Sequence, residues 1–202
     1  PETYFAHTAG LKVVIPSNPV DAKGLLIAAV RDPDPVMFFE PKRIYRGRID
    51  ESGRPTPWDM EVPEGEYQVP IGKAAVAREG ADVTVVTWGA QVHECLAAAA
   101  MADRDGISCE VIDVRTLIPL DIDTITTSVK KTGRVVVVHE APKTVGFGAE
   151  IVALINEKAF LHLEAPPLRV TGWDVPFPYT LEMEYLPRAP RVLAGIKQTV
   201  AF

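Results

Sequence analysis

Cysteine and long apolar runs are scarce in this sequence, and each shortage excludes a class of protein. The 202 residues include two cysteines, Cys95 and Cys109, which have no CxxC spacing and therefore cannot form a zinc site by themselves. We expect both to be reduced thiols inside a core. No apolar run approaches the ~18 residues that a membrane span requires, and no signal peptide is visible.

Basic charge is also in short supply. Lys and Arg together number 21 against 27 Asp and Glu, which gives a net charge of -6. Nucleic acids and anionic membranes are bound through clustered Lys and Arg, so we expect neither as a partner. Apolar residues make up 47% of the chain, which is ample for a folded core and argues against intrinsic disorder.

Residues 11–40 have the pattern of one strand–helix–strand unit. LKVVIP, from residue 11, is a β-branched run typical of a buried strand. Asn18 and Pro19 suit the N-cap and the first position of a helix, and Val36–Phe39 is predicted to be a second strand. The helix is predicted to bury one apolar stripe, which consists of Ala22, Leu25, Leu26, Ala29 and Val30.

Residues 46–80 are rich in proline and glycine and show no clear period, which indicates a linker or crossover. Trp58, Tyr67 and Val69 suggest that this segment packs on another part of the molecule.

From residue 81 onward, strand and helix patterns alternate. Lys130 and Lys131 fall in the last turn of one predicted helix, and Gly133 just past it suits a left-handed cap. The predicted strands are 83–88, 110–114, 135–138 and 168–171. The apolar stripes of the predicted helices are Val92, Cys95, Leu96, Ala99 and Ala100; Ile122, Ile125 and Val129; Ile151, Leu154 and Ile155; and Val192, Leu193, Ile196 and Val200.

This alternation predicts an α/β fold with a mainly parallel sheet and helices on both faces, complete within 81–202. A lone strand–helix–strand unit cannot bury both faces of its sheet. We therefore interpret residues 1–45 as the C-terminal remnant of a second α/β domain, and we expect the chain to be part of a longer protein.

Two features at predicted strand ends are candidates for chemistry. His139-Glu140 ends a buried strand and is either an acid/base pair or a histidine hydrogen-bonded at a strand end or an interface, the interpretation that we favour. Gly146-Phe147-Gly148 opens a helix, where two glycines suit either phosphate binding or tight strand–helix packing. It lacks the third glycine of the dinucleotide fingerprint, so we favour packing.

A third candidate lies at the end of the first predicted helix. Asp32 and Asp34 follow the helix C terminus near Ala29, and their oxygens suit a hard cation. The alternative is a solvated acidic turn that proline makes rigid.

Long stretches of the sequence resemble a known family. HTAGLKVVIPSNPVDAKGLLIAAVRDPDPVMFFEPKRIYR, residues 7–46, is similar to the end of the cofactor-binding domain in beta subunits of 2-oxo acid dehydrogenases. SCEVIDVRTLIPLDIDTITTSVKKTGRVVVVHEAP (108–142), GFGAEIVALI (146–155) and LEAPPLRVTGWDVPFPY (163–179) resemble their C-terminal domain, which is of the transketolase type. Within the family, HEAP (139–142) and VTGWDVPFP (170–178) resemble the branched-chain enzyme, 2-oxoisovalerate dehydrogenase.

The resemblance implies a function for the complete protein. Thiamine diphosphate, held with magnesium between alpha and beta subunits, decarboxylates a branched-chain 2-oxo acid, and the acyl group passes to a lipoyl arm on the acyltransferase core. The family's catalytic histidine and the beta-chain cofactor contacts precede the segment that matches Pro1. We therefore assign no catalytic or cofactor-binding residue to this chain, and we expect it to be inactive alone and to serve assembly and core docking.

The resemblance also implies partners and two sites. The partners are an alpha subunit, a second beta subunit and the dihydrolipoyl acyltransferase core, in the bacterial cytoplasm or, in a eukaryote, the mitochondrial matrix. Some members bind structural potassium at the segment matching Ala29, Asp32 and Asp34. Relatives dock the acyltransferase near the beta C terminus, which makes Phe202 either a partner-binding residue or a frayed end.

Three other functions stay open on the sequence. The chain could belong to a pyruvate or acetoin dehydrogenase beta subunit, or be a non-catalytic α/β interaction domain. It could also be a nucleotide-dependent enzyme that uses the glycine turn at 146–148.

Overall fold

The chain folds into two β-sheets joined by helices, and the computed structural model describes residues 2–45, 56 and 58–202. The N-terminal elements are α1 (Glu2–Ala6), β1 (Lys12–Val14), α2 (Pro19–Arg31) and β2 (Val36–Phe38). They are followed by β3 (Ala75–Arg78), β4 (Val83–Thr87), α3 (Gln91–Ala102), β5 (Cys109–Asp113), β6 (Thr116–Ile118), α4 (Ile122–Thr132), β7 (Val135–Pro142), α5 (Gly148–Ala159), β8 (Leu168–Gly172), α6 (Glu182–Tyr185) and α7 (Ala189–Val200).

The main sheet has the strand order β3-β5-β4-β7-β8, and all its neighbouring pairs are parallel except β3 with β5. Successive residues of a strand point to opposite faces. Val85 therefore packs with Val192 of α7 and with α3, whereas Val86 packs with Ile125 of α4 and Ile151 of α5. The prediction of a mainly parallel sheet with helices on both faces is confirmed.

Several local sequence signals also prove correct. The Asn18 side chain caps α2 by accepting the Asp21 N–H at 2.8 Å. Gly133 ends α4 at a φ of 69°, with Lys130 and Lys131 in the last turn. Cys95 and Cys109 are buried free thiols.

The predicted apolar stripe of α2 is wrong in part. Leu25 is buried, but Leu26 and Val30 are 46% and 79% exposed. The covered face is centred on Gly24, where an added Cβ would lie 2.6 Å from Cγ2 of Val69. The Tyr67 hydroxyl also donates to the Val20 carbonyl at 2.8 Å. As predicted, Tyr67 and Val69 of the proline-rich segment pack on another part of the molecule, and they cover the Gly24 face of α2.

Two short strands were not predicted, and both change how the segments join. β3 lies inside the predicted linker 46–80 and pairs antiparallel with β5. β6 pairs antiparallel with β1, so the smaller sheet has the order β2-β1-β6. The N-terminal strands thus share a sheet with a strand from the 81–202 region. The proposed boundaries at 45 and 80 stay predictions.

Arg115, between β5 and β6, links the two sheets. Its φ of 55° lies in the left-handed region, which is uncommon for a residue with a side chain. Its carbonyl accepts the Ile15 N–H at 2.8 Å. Its guanidinium donates to Asp21 at 2.9 Å and to the carbonyls of Lys73 and Ala74 at 3.1 and 3.0 Å. A single side chain therefore connects α2, the segment before β3 and the turn after β5.

The glycine turn before α5 makes room for His139. A Cβ on Gly146 would lie 2.6 Å from Cε1 of His139, and one on Gly148 would lie 2.7 Å from its Cδ2. The His139 ring stacks on Trp88 with centroids 5.3 Å apart, and Phe147 meets Trp88 edge to face. The structure confirms the tight-packing interpretation of this turn.

We expect Arg115→Ala to lower the free energy of unfolding by about 3 kcal/mol. The substitution removes the cation that pairs with the partly buried Asp21 carboxylate and the hydrogen bonds to two carbonyls. The measurement is chemical denaturation. Arg134→Ala is the control, since its pair with the exposed Glu164 lies at the surface and should contribute no more than about 1 kcal/mol. Equal losses in the two variants would contradict the linking role.

Gly148→Ala should cost about 2 kcal/mol of stability, because the new methyl group overpacks the His139 ring. In a His139→Ala background the same substitution should cost much less, since the ring is gone. A double-mutant cycle measured by denaturant unfolding gives the coupling. If the losses of unfolding free energy from the two substitutions simply add, the His139 ring is not the reason that position 148 requires glycine.

Candidate functional site

The carboxyl edge of the main sheet, where α/β domains bind ligands, faces the N-terminal segment. A crevice of about 140 Å³ lies there, between Trp88 and Gly89 after β4 and Glu140 of β7. Ile15 and Phe39, which follow β1 and β2, form its opposite wall. The ends of the N-terminal strands thus occupy much of the space in which a ligand would sit.

His139 is fully buried at this edge, and burial lowers its pKa to about 4. It is therefore neutral near neutral pH and packed against Trp88 and the glycine turn. Glu140, the next residue along the strand, projects to the other side of the sheet. It accepts a hydrogen bond from Gln91 at 3.2 Å. The expectation of a hydrogen-bonded His139 is wrong, because neither buried ring nitrogen has a hydrogen-bond partner among the described residues. Contact with Trp88 and the glycine turn holds the ring instead.

The glycine turn does not fit a diphosphate. In a phosphate-binding turn, glycine leaves space for the ligand beside the helix N terminus. Here the imidazole of His139 fills the space beside Gly146 and Gly148. A nucleotide or thiamine diphosphate therefore has no cradle at this turn.

Ala29, Asp32 and Asp34 are close together, as the sequence suggested, but a lysine balances their charge. Lys12 Nζ lies 2.7 Å from Asp32 and 3.0 Å from Asp34. The hydrogen bond from Lys12 lowers the pKa of Asp32, and the same bond raises the pKa of Lys12. The Ala29 carbonyl accepts the Asp32 N–H at 3.3 Å.

These residues therefore do not form a carboxylate cage for a cation. Across residues 2–45, 56 and 58–202, no group of three or more His, Cys, Asp or Glu side chains is arranged to hold a metal ion. A potassium ion would have to bind backbone oxygens of Ala29, Asp32 and Asp34, and this role stays a prediction. The parallel register of Lys12 with Val36 explains why Lys12 reaches the acidic turn just before β2.

Phe202 is 81% exposed and lies beside an apolar groove of about 500 Å³. Sequence reasoning missed the groove, whose exposed Phe160 and Leu161 follow α5. Helix α7 ends just before Phe202, where the Ala201 N–H donates to the Lys197 carbonyl at 3.0 Å. The other residues along the groove are Asn156, Leu163, Glu164, Ala165, Pro166 and Pro167.

None of the helices in the described part of the chain is both long enough and apolar enough to cross a membrane.

Comparison with known families identifies two domains. The transketolase C-terminal domain matches residues 72–192, a range that includes β3. The transketolase pyrimidine binding domain matches residues 1–48. A solved structure described as "Split gene transketolase, inactive beta4 tetramer" shares the fold, with a TM-score of 0.78 and 24% identity over 98% of this chain and 60% of that one.

Curated relatives are similar over the whole chain. The chain is 53% identical to the mitochondrial 2-oxoisovalerate dehydrogenase subunit beta of Dictyostelium discoideum, over 100% of this chain and 52% of the relative. It is 52% identical to the 2-oxoisovalerate dehydrogenase subunit beta of Pseudomonas aeruginosa, over 99% and 58%. It is 50% identical to the pyruvate dehydrogenase E1 component subunit beta of Bacillus subtilis, over 100% and 59%.

The chain thus spans between 52% and 59% of the length of these relatives. The match to the transketolase C-terminal domain covers more than half of the chain itself. The chain therefore belongs to the transketolase C-terminal domain family, within which it is similar to the beta subunits of 2-oxo acid dehydrogenases.

Proposed function

We propose that this chain is the assembly and core-docking part of the beta subunit of a branched-chain 2-oxo acid dehydrogenase. The observation that carries the proposal is the identity of 53% and 52% with two 2-oxoisovalerate dehydrogenase beta subunits along essentially the whole chain. The match of residues 1–48 to a pyrimidine binding domain supports thiamine diphosphate as the cofactor of the complete subunit.

In the complete enzyme, thiamine diphosphate with magnesium supplies the chemistry that removes carbon dioxide from the 2-oxo acid and passes the acyl group to a lipoyl arm. This chain's own residues position the domains. Arg115 and β6 hold the N-terminal segment against the main sheet. The packed His139 and Trp88 make the covered edge of that sheet rigid.

An apolar ridge supports assembly with an alpha subunit and a second beta subunit. Exposed apolar side chains occur at every second position from 173 to 183. Several large exposed apolar side chains within one short segment favour an interaction site. The ridge consists of Trp173, Val175, Phe177, Tyr179, Leu181 and Met183.

A pyruvate dehydrogenase is the second candidate, because the chain is 50% identical to the beta subunit from Bacillus subtilis. The choice of 2-oxo acid is therefore the finer part of the proposal.

The groove beside Phe202 supports docking to the peripheral domain of the acyltransferase. Phe202 lies beside it, and the neighbouring Phe160 and Leu161 are 64% and 92% exposed. Several large exposed apolar side chains around one groove are typical of a binding surface.

To test the activity, residues 1–202 would replace the matching part of the Pseudomonas aeruginosa beta subunit, and the chimera would be produced with its alpha subunit. We expect thiamine-diphosphate-dependent decarboxylation of 2-oxoisovalerate in preference to pyruvate, with the unaltered beta subunit as control. The 202-residue chain alone should be inactive. Faster turnover of pyruvate by the chimera would favour the second candidate, and decarboxylation by the isolated chain would refute the assigned role.

Replacing Phe202 with Ala should weaken binding of the acyltransferase peripheral domain by roughly tenfold or more, because it deletes an exposed aromatic anchor beside the groove. Isothermal titration calorimetry measures the dissociation constant. Leu161→Ser should weaken binding in the same direction. Tyr4→Ser, which changes an exposed aromatic outside the groove and the ridge, is the control. Undiminished binding after loss of Phe202 would exclude the terminal contact.

A further inference from the structure

A buried carboxyl group lies where the N-terminal segment meets the main sheet. Asp113 ends β5 and is 2% exposed. The Ser17 hydroxyl donates to its Oδ2 at 2.5 Å, and the Arg115 N–H donates to its Oδ1 at 3.1 Å. Ser17 is itself buried and lies in the connection between β1 and α2, so this contact crosses the junction between the two sheets.

The charges that face Asp113 do not neutralise it. Asp21 of α2 is a second carboxylate nearby, and the guanidinium of Arg115 donates to Asp21 at 2.9 Å. From α3, His93 Nε2 lies 2.7 Å from the Ser17 carbonyl, and burial lowers the pKa of His93 and so favours its neutral form. The cluster therefore contains two carboxyl groups, Asp113 and Asp21, and one cation, Arg115. The guanidinium of Arg115 pairs with Asp21 and not with Asp113.

Burial, helped by the nearby charge of Asp21, raises the pKa of Asp113 to about 7 against the opposing effects of the Ser17 hydrogen bond and of the Arg115 N–H and charge. The folded chain thus keeps a proton on Asp113 at pH values where an ordinary aspartate is ionised.

We propose that the Asp113–Ser17 contact is a proton-sensitive latch between the N-terminal segment and the main sheet. When Asp113 is protonated, the connection between β1 and α2 closes over a neutral group. When Asp113 is ionised, the buried charge gains free energy from hydration, and water reaches it once the Ser17 connection moves away.

The direction of the pH dependence follows from proton binding. The closed state holds a proton on Asp113 up to a pKa of about 7, whereas in the open, hydrated state the group has its ordinary pKa near 3.8. The equilibrium therefore favours the closed state most strongly below pH 3.8, the ordinary pKa of aspartate. This preference weakens as the pH rises towards 7, and above pH 7 it no longer changes. Each pH unit in this window changes the closing equilibrium by about tenfold at most.

Hydrogen exchange tests the latch in the 202-residue chain. Ile15, Asp21 and Ala22 have amides hydrogen-bonded at the junction. Between pH 5 and pH 7 we expect their protection, corrected for intrinsic exchange, to fall by about tenfold or more. Amides of β7 are the internal reference and should not change. Asp113→Asn, which cannot ionise, should abolish the pH dependence, and Asp82→Asn, at the opposite end of the sheet, should retain it.

The same pH dependence in the parent chain and in Asp113→Asn would overturn the latch. If Asp113→Asn fails to fold, carbon-13 titration of the Asp113 carboxyl in the parent chain decides. A midpoint near 7 that moves in Ser17→Ala supports the latch, and a midpoint near the ordinary value refutes it.

Discussion

The turn between β5 and β6 is the constraint on which the arrangement of this chain depends. Its backbone places β6 beside β1, and the carbonyl of Arg115 receives the N–H of Ile15 at 2.8 Å. Two short parallel strands are marginal on their own, because three or more are needed to bury a face. β6 supplies that third strand, and the guanidinium of Arg115 satisfies carbonyls that the close approach would otherwise leave unpaired.

This constraint also decides what the main sheet can do. In an open α/β sheet, the carboxyl ends of the strands are available to a ligand. Here Ile15 and Phe39 cover them, and beneath that cover His139 stacks on Trp88. The domain therefore presents a packed edge to its neighbour, and its exposed apolar surfaces lie elsewhere, on the 173–183 ridge and beside Phe202. This distribution of exposed apolar surface supports the proposed assembly and docking role.

The fold was predictable where a pattern extends over several residues. The four valines of β7 alternate between two helix-covered cores, and Asn18 and Gly133 mark helix ends through local hydrogen bonding.

β3 and β6 were missed because three or four residues carry too little periodicity, and antiparallel pairing at an edge depends on partners distant in sequence. Lys12 was missed for the same reason, since its contact with Asp32 depends on the pairing of β1 with β2. The glycine turn could be interpreted only once His139 was placed against it.

The prediction for α2 was wrong for a different reason, because part of its apolar stripe is exposed. Leu26 and Val30 satisfy the helical period of a buried face, yet the structure covers the adjacent Gly24 side instead. The local sequence specifies that a helix face is apolar, whereas the surface that covers it must come from another part of the protein. Residues 63–70 provide one such surface through Tyr67 and Val69. Two apolar side chains left open on a helix of the pyrimidine binding domain favour a further packing surface, as the proposed place of this chain within a larger subunit requires.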